Sequence, residues 1–489
     1  MTINTKEHNN PVVAVSHGPE IRQTTRSAID LLGGMKKFVK KGDKVFIKPN
    51  LMSPTQHSIT SGDVLFTIVE MCQEAGAADI VIADSPSISL SSRLTFRMLG
   101  YDDFAKRMGA RYLYLRDFGI EDFEWVEVPE GKSLKKIRLP KELLASDVLI
   151  SMPVAKTHSV TQVTLAMKLN QGIVCDEDKW ESHMVRPEHG KSLLWKFSDL
   201  MLTRARPDLT VMDMWYCVQG QGPWISPMPP KADPACRIPL VKKDLILAGT
   251  DPIAVDACTA YIMGFDPINE IPLIKDAYER GIGQADVSKI NVVGEKLEDH
   301  RFDVLRAHLE FEYKNLEPYL RVFKGDVCAG ACSMATRFLM DLLRSFGLKF
   351  LIESYEKGHP LVLLVGENPP EPPPGTVVGV LGDCAVCSTQ HYAFREKKFY
   401  KKGWFKKDPA FVDQWGCPPF RIDYGGVKHL VNGLKGAVPL LGVLTDMLDL
   451  IEKFNVLIEA NEPAKHRWDY DPAFGERYAK EIEEIKKVL

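Results

Sequence analysis

The chain has 489 residues, a nearly balanced formal charge of −3 and 45% hydrophobic residues. That length accommodates two or three domains with separate cores, and the charge balance argues against a surface built for nucleic acid. The polar start MTINTKEHNNP has no apolar run behind a basic segment, and the best apolar stretch, AVPLLGVLTDMLDLI, is broken by Pro439, Asp446 and Asp449, so neither a secretory signal nor a membrane span is expected.

Through residues 1–300, short β-branched runs alternate with helical patterns: KVFIKP, LFTIVEMCQEAG, DIVIAD, DVLISMP, DLTVMDM and LILAG followed by DPIAVDACTAYIMG. This is the rhythm of an α/β domain with a mainly parallel sheet and flanking helices. Each run ends in polar or special residues: Lys48-Pro49-Asn50, Asp84-Ser85, Lys156-Thr157-His158, Asp213 and Gly249-Thr250-Asp251. Open α/β sheets bind ligands beyond the carboxyl ends of their strands, so these groups are expected to converge on one crevice.

The densest group is MPVAKTHSVTQVTLAMKLNQGIV. A helix from about Ser159 would put Thr161, Thr164 and Lys168 on one stripe beside Lys156 and His158, a site for a small anion in which Lys156, His158 and Lys168 are the catalytic candidates. The alternative is exposed lysines with His158 capping the turn. Lys48 and Asn50 supply donors on either side of a fixed strand exit, or merely form a structural turn. Asp84 and Asp213 read either as ligands and bases or as caps of the next helix. Ser85, Thr157, Thr161 and Asp251 complete the substrate-binding candidates. No G-x-G-x-x-G or Walker motif is present, and His183 and His189 are too loosely placed to argue a metal.

After a charged connector, residues 301–426 hold five of the ten cysteines: Cys328 and Cys332 in DVCAGACSM, Cys384 and Cys387 in GDCAVC, and Cys417 in WGCPPF. In a reducing cytoplasm these stay thiols. Close-spaced thiolates suit a [4Fe–4S] cluster, with structural zinc or scattered thiols as alternatives, and five thiols exceed the four a cluster takes. The tract ENPPEPPPG lacks backbone donors and reads as a stiff linker before the strand TVVGVLG, which delivers Cys384. This region is expected to be a smaller α+β domain, and residues 427–489 a helical tail. Between Cys387 and Cys417, the basic and aromatic run at 395–407 reads either as a solvated loop or as a surface for nucleic acid, an acidic membrane or an acidic redox partner, of which an electron carrier such as ferredoxin is preferred because the run lies inside the cysteine region.

VFIKPNLMSP, VIADSPS, LISMPVAKTH with TLAMKLNQGIV, and LILAGTDPIAVDACTAYIMG resemble the family catalogued as domain of unknown function 362, over about residues 12 to 300. That family is common in archaea and anaerobic bacteria and associated with iron–sulfur proteins. The Gly-x-Cys and Gly-Cys-Pro-Pro elements resemble the cluster region of some members, although three residues rather than two separate Cys328 from Cys332. The strand-end Lys and His pattern is more loosely similar to nickel-pincer lactate racemases. The resemblance implies the α/β fold and the cluster and names no reaction. The expected protein is a cytoplasmic iron–sulfur oxidoreductase acting on a small anionic substrate. The alternatives are a lyase, isomerase or group-transfer enzyme with a structural cluster, and a non-enzymatic electron-transfer or maturation factor.

Overall fold

The computed structural model describes residues 10–51, 57–85, 105–115, 120–175, 178–179, 185–186, 191–220, 240–307, 317–327, 336, 348–358, 360–374, 376–395 and 411–414. The first strands are β1 (Val12–His17), β2 (Lys44–Pro49), β3 (Asp79–Asp84) and β4 (Arg111–Tyr114). A separate ribbon pairs β5 (Phe123–Glu127) with β6 (Lys136–Pro140). Next come β7 (Val148–Met152), β8 (Val154–His158) and β9 (Gln162–Thr164), then a small ribbon of β10 (Val185–Arg186) and β11 (Lys191–Ser192). The set closes with β12 (Leu209–Val218), β13 (Leu240–Gly249) and β14 (Asn291–Gly294).

Ten of these strands form one sheet in the order β14-β1-β13-β12-β7-β2-β3-β4, with β8 attached to β12 and β9 to β8. The pairs from β12 through β7, β2 and β3 to β4 are parallel. Such strands are covered on both faces, which is why β2 buries every residue from Val45 to Pro49. On one face, Val45, Ile47 and Ile82 pack under helices Ile21–Asp30 and Gly62–Ala75. On the other, Phe46, Ala83 and Leu149 share a core with helices Leu193–Leu200, Pro252–Ile262 and Pro272–Glu279.

Two expectations are corrected. β13 runs antiparallel to both β1 and β12, so its carboxyl end points to the opposite edge from those of β2, β3 and β7. The segment Gly249-Thr250-Asp251 therefore does not join the convergence. No helix starts at Ser159 either. β8 turns back into β9, with Lys156 opposite Thr164 and His158 opposite Gln162, and the chain becomes helical only from Ala166, in the turn Ala166–Leu169 and the 3-10 turn Asn170–Ile173. Val160, Thr161, Val163 and Thr164 are β-branched and favour extended backbone, while Gln162 takes the left-handed conformation, φ 63°, that closes the hairpin.

A second sheet orders β15 (Leu320–Lys324), β16 (Leu361–Val365), β17 (Val377–Leu381) and β18 (Phe411–Gln414), parallel throughout. With helices Leu348–Glu356 and Asp383–Ser388 in its connections, it is an α/β arrangement where α+β was expected. The proline tract joins β16 to β17 without a helix. Cys328, Cys332, Cys417, His183, His189, the basic loop beyond Arg395 and the 427–489 tail lie outside the described residues.

Asp199 ties the helix Leu193–Leu200 to its surroundings. Fully buried, it accepts backbone N–H bonds from Lys132 (2.9 Å), Ser133 (2.8 Å) and Leu134 (2.9 Å), and pairs with Arg280 at 2.8 Å. Asp199→Ala would strand three backbone donors and leave the Arg280 guanidinium with Asp276 as its carboxylate partner, so urea denaturation should show about 3–5 kcal/mol of lost stability. An unchanged unfolding midpoint would show that these bonds are replaced by water.

Candidate functional site

At the carboxyl edge of β2 and β3, Lys48 and Asp84 are buried and paired, Nζ to Oδ1, at 2.6 Å. Lys48 also donates to the Pro49 carbonyl at 2.7 Å, and the second Asp84 oxygen accepts from Leu51 N at 2.7 Å. The pair thus fixes the exit of β2 through both partners. Burial lowers the Lys48 pKa, with Asp84 opposing that shift. Gly172 lies against the pair: a Cβ there would sit 2.3 Å from Asp84 Oδ1 and 2.8 Å from Lys48 Nζ. Only glycine permits this approach. It is reinforced by Ser85 N donating to Gly172 O at 2.9 Å.

Four further lysines gather around this pair. Lys156 is buried on β8 and donates to Ser58 O at 2.6 Å. Burial, then the charge of Lys168, lowers its pKa well below the ordinary range. Lys168 sits on the turn Ala166–Leu169, whose first N–H groups, Ala166 (2.7 Å) and Met167 (2.9 Å), donate to Asp256. Partly exposed, it is pushed down to about 8 by desolvation. Lys179 donates to Ser85 Oγ at 2.7 Å. Lys196, on the helix Leu193–Leu200, is fully buried and its Nζ has no hydrogen-bond partner among the described residues. Burial and the charges of Lys179 and Lys168 lower its pKa, opposed by Asp178, which Arg138 already pairs.

Uncharged groups are left open in the same region. Asn50 Oδ1, Ser151 Oγ, Thr164 Oγ1 and both amide atoms of Gln171 are buried without partners among the described residues. Ser151 is level with Lys48 in the sheet, and Thr164 is directly opposite Lys156. Buried polar atoms are usually satisfied, so such a group of orphans around cations is a mark of a ligand site.

The remaining predicted residues divide by what they already hold. Residues 156 and 158 alternate onto one face of β8, and His158 Nδ1 accepts from Val160 N (3.0 Å) and Thr161 N (3.3 Å), leaving the proton of a neutral ring on Nε2. Thr157, on the other face, donates to Gly220 O at 2.8 Å, and Thr161 to Val163 O at 2.8 Å. Asp213 receives Ser61 N (2.7 Å) and Trp215 N (3.0 Å) and is raised by burial to about 6. Asp251 caps the helix Pro252–Ile262 through Ile253 N (3.0 Å) and also takes Gln284 N (2.9 Å) at the far edge. Lys179, Lys196, Gly172 and Asp256 escaped the sequence reading. For Lys196 the signal was present, a lysine flanked by apolar residues in LLWKF. For Asp256 it was an aspartate inside the apolar helix PIAVDACTAYI.

Residues 45–261 match the family model described as domain of unknown function (DUF362). The resemblance read from the four sequence segments holds over this span. The thylakoid-associated protein sll1697 of Synechocystis is 29% identical over 249 residues, which are 50% of this chain and 70% of that protein. Among solved structures, a Thermotoga maritima protein aligns with TM-score 0.29 and 11% identity over 56% of this chain, which spans 60% of that one. The lactate racemase apoprotein of Thermoanaerobacterium thermosaccharolyticum aligns with TM-score 0.32 and 13% identity, covering 74% of this chain and 70% of that one. Overlaps of this size carry no argument about chemistry.

The lowered lysines set a pH dependence. Below about 8 both folded and unfolded chains keep the Lys168 proton, and the cost of burying its charge is fully present. Between about 8 and the ordinary lysine value near 10.5, the unfolded chain binds more protons than the folded one, so stability rises with pH. Ligand-free protein should show this rise in urea midpoints from pH 8 to 10, shallower in Lys168→Met. Parallel profiles for the two proteins would mean Lys168 is solvated like a surface lysine.

Proposed function

We propose that this chain is an enzyme acting on a small anionic substrate held at the lysine cluster, in the first place an iron–sulfur oxidoreductase with a [4Fe–4S] cluster in its second domain. The observation that carries the substrate class is the gathering of five lysines from five separate chain segments around one strand edge. A cation in such surroundings is costly unless an anion accompanies it, and a substrate carboxylate or phosphate supplies one. Lys168, held near 8, suits proton transfer at neutral pH, and His158, on the same face of β8 as Lys156, offers an oriented imidazole.

For the cluster, Cys384 and Cys387 both lie on the helix Asp383–Ser388, the first half-buried and the second exposed. Their i, i+3 spacing turns both sulfurs to one side of the helix, which fits two ligands of one soft metal centre. Cys328, Cys332 and Cys417 are the proposed source of the others. When bound, such a cluster supplies one-electron transfer. An acidic carrier such as ferredoxin, docking on the basic run at 395–407, is the proposed donor, and the cytoplasm the proposed compartment. Among the described residues no helix is long and apolar enough to cross a membrane. A second reading, proton or group transfer with a structural cluster, is favoured by the lowered Lys168, and a redox titration separates the two.

Protein purified without oxygen should contain iron and acid-labile sulfide, and Cys384→Ser should remove most of both. Zinc without sulfide would overturn the cluster. Lys168→Met should abolish anion binding with iron content unchanged, whereas His158→Gln should keep binding and impair turnover.

A further inference from the structure

We propose that the anion held at this cluster is doubly charged, with Lys168 and Lys196 together matching its two negative charges. This rests on the reading of the cluster as the substrate site. Of the five lysines, Lys48 has Asp84, Lys179 has Ser85 Oγ and Lys156 has Ser58 O. Asp178, the carboxylate nearest Lys196, is occupied by Arg138 through its side chain and through Arg138 N at 3.0 Å. Among the described residues, Lys168 and Lys196 are left with no hydrogen bond or carboxylate of their own. They stand on neighbouring elements, because the turn Ala166–Leu169 packs against the helix Leu193–Leu200.

Their exposure differs, and that decides the charge of the ligand. Lys168 is partly exposed and, although desolvation holds it near 8, it is still mostly charged at neutral pH without a ligand. Lys196 is at 0% exposure with no partner, so it gains a counter-charge only from a ligand that reaches past Lys168. A monoanion at Lys168 would leave Lys196 as it is. A small molecule with two carboxylates, or one phosphate, satisfies both ammonium groups. Gln171, with both amide atoms unpartnered beside Gly172, supplies a neutral donor and acceptor for the remainder of the molecule.

Lys196 then has opposite effects on binding and on stability. Removing a buried, unaccompanied ammonium should stabilise the ligand-free fold while weakening the ligand, which a purely structural lysine would not do. The test is calorimetric titration of the full chain at pH 7.5 with acetate, malonate and inorganic phosphate, repeated on Lys196→Met and Lys196→Gln. Malonate or phosphate should bind at least about ten-fold more tightly than acetate. Both variants should erase that preference while raising the ligand-free melting temperature. Preference for malonate assigns two separate carboxylates, and preference for phosphate one doubly charged head group. Acetate binding as tightly as both, with loss in Lys168→Met, would overturn the dianion and keep the anion site. A preference that survives both Lys196 variants would overturn the role of Lys196. If none of the three anions binds, the substrate-site reading falls and this inference with it.

Discussion

The contact between Gly172 and the buried Lys48–Asp84 pair is the constraint from which the site follows. An ammonium and a carboxylate taken out of water need excellent geometry to recover their desolvation. Here each partner also bonds the backbone leaving β2, Lys48 to Pro49 O and Asp84 to Leu51 N. The missing Cβ of residue 172 lets the 3-10 turn Asn170–Ile173 close on the pair. That turn continues directly from Ala166–Leu169, so the position of Lys168 depends on an ion pair it does not touch.

How legible this was in the sequence depends on the range of the interactions involved. The parallel strands were readable because a strand covered on both faces must be a continuous apolar run, and KVFIKP, DIVIAD and DVLISM are such runs. Lys48, Asp84 and Lys156 were readable from strand-end placement, while Lys168 was reached through a helix from Ser159 that the β8–β9 hairpin replaces. The direction of β13 was not readable, since LILAG is equally apolar in either orientation. The β8–β9 hairpin was missed because Lys and Met, good helix formers, dominated a window in which the local β-branched residues decide. Lys179 enters through long-range packing, which no local pattern encodes, whereas the burial of Lys196 is hinted at by its apolar neighbours in LLWKF and its place beside Lys168 is not.

The buried acids of this domain share a second regularity. Asp84, Asp199, Asp213, Asp251 and Asp256 each accept backbone N–H groups. A carboxylate offers two oxygens with room for several donors, so it can terminate loops and helix starts at once. Burial raises Asp213 to about 6 and Asp256 to about 8, and the backbone donors at each oppose that shift. The acids are therefore committed to holding the chain.

Lysine has no comparable framework use. An ammonium donates only, and the carbonyls it can reach in a packed α/β domain are mostly consumed by strands and helices. Lys48 and Lys156 find loop carbonyls at Pro49 and Ser58; Lys196, in the middle of a helix, has none. With the carboxylates spent on backbone donors, a buried lysine must stay poorly compensated or wait for a counter-ion from outside. This division between acids that build the frame and lysines left over at one strand edge makes the edge selective for negative charge. The framework bonds also explain why removing Lys196 and removing Asp199 should have opposite effects on stability, since Asp199 holds three backbone donors in place and the Lys196 ammonium holds nothing among the described residues.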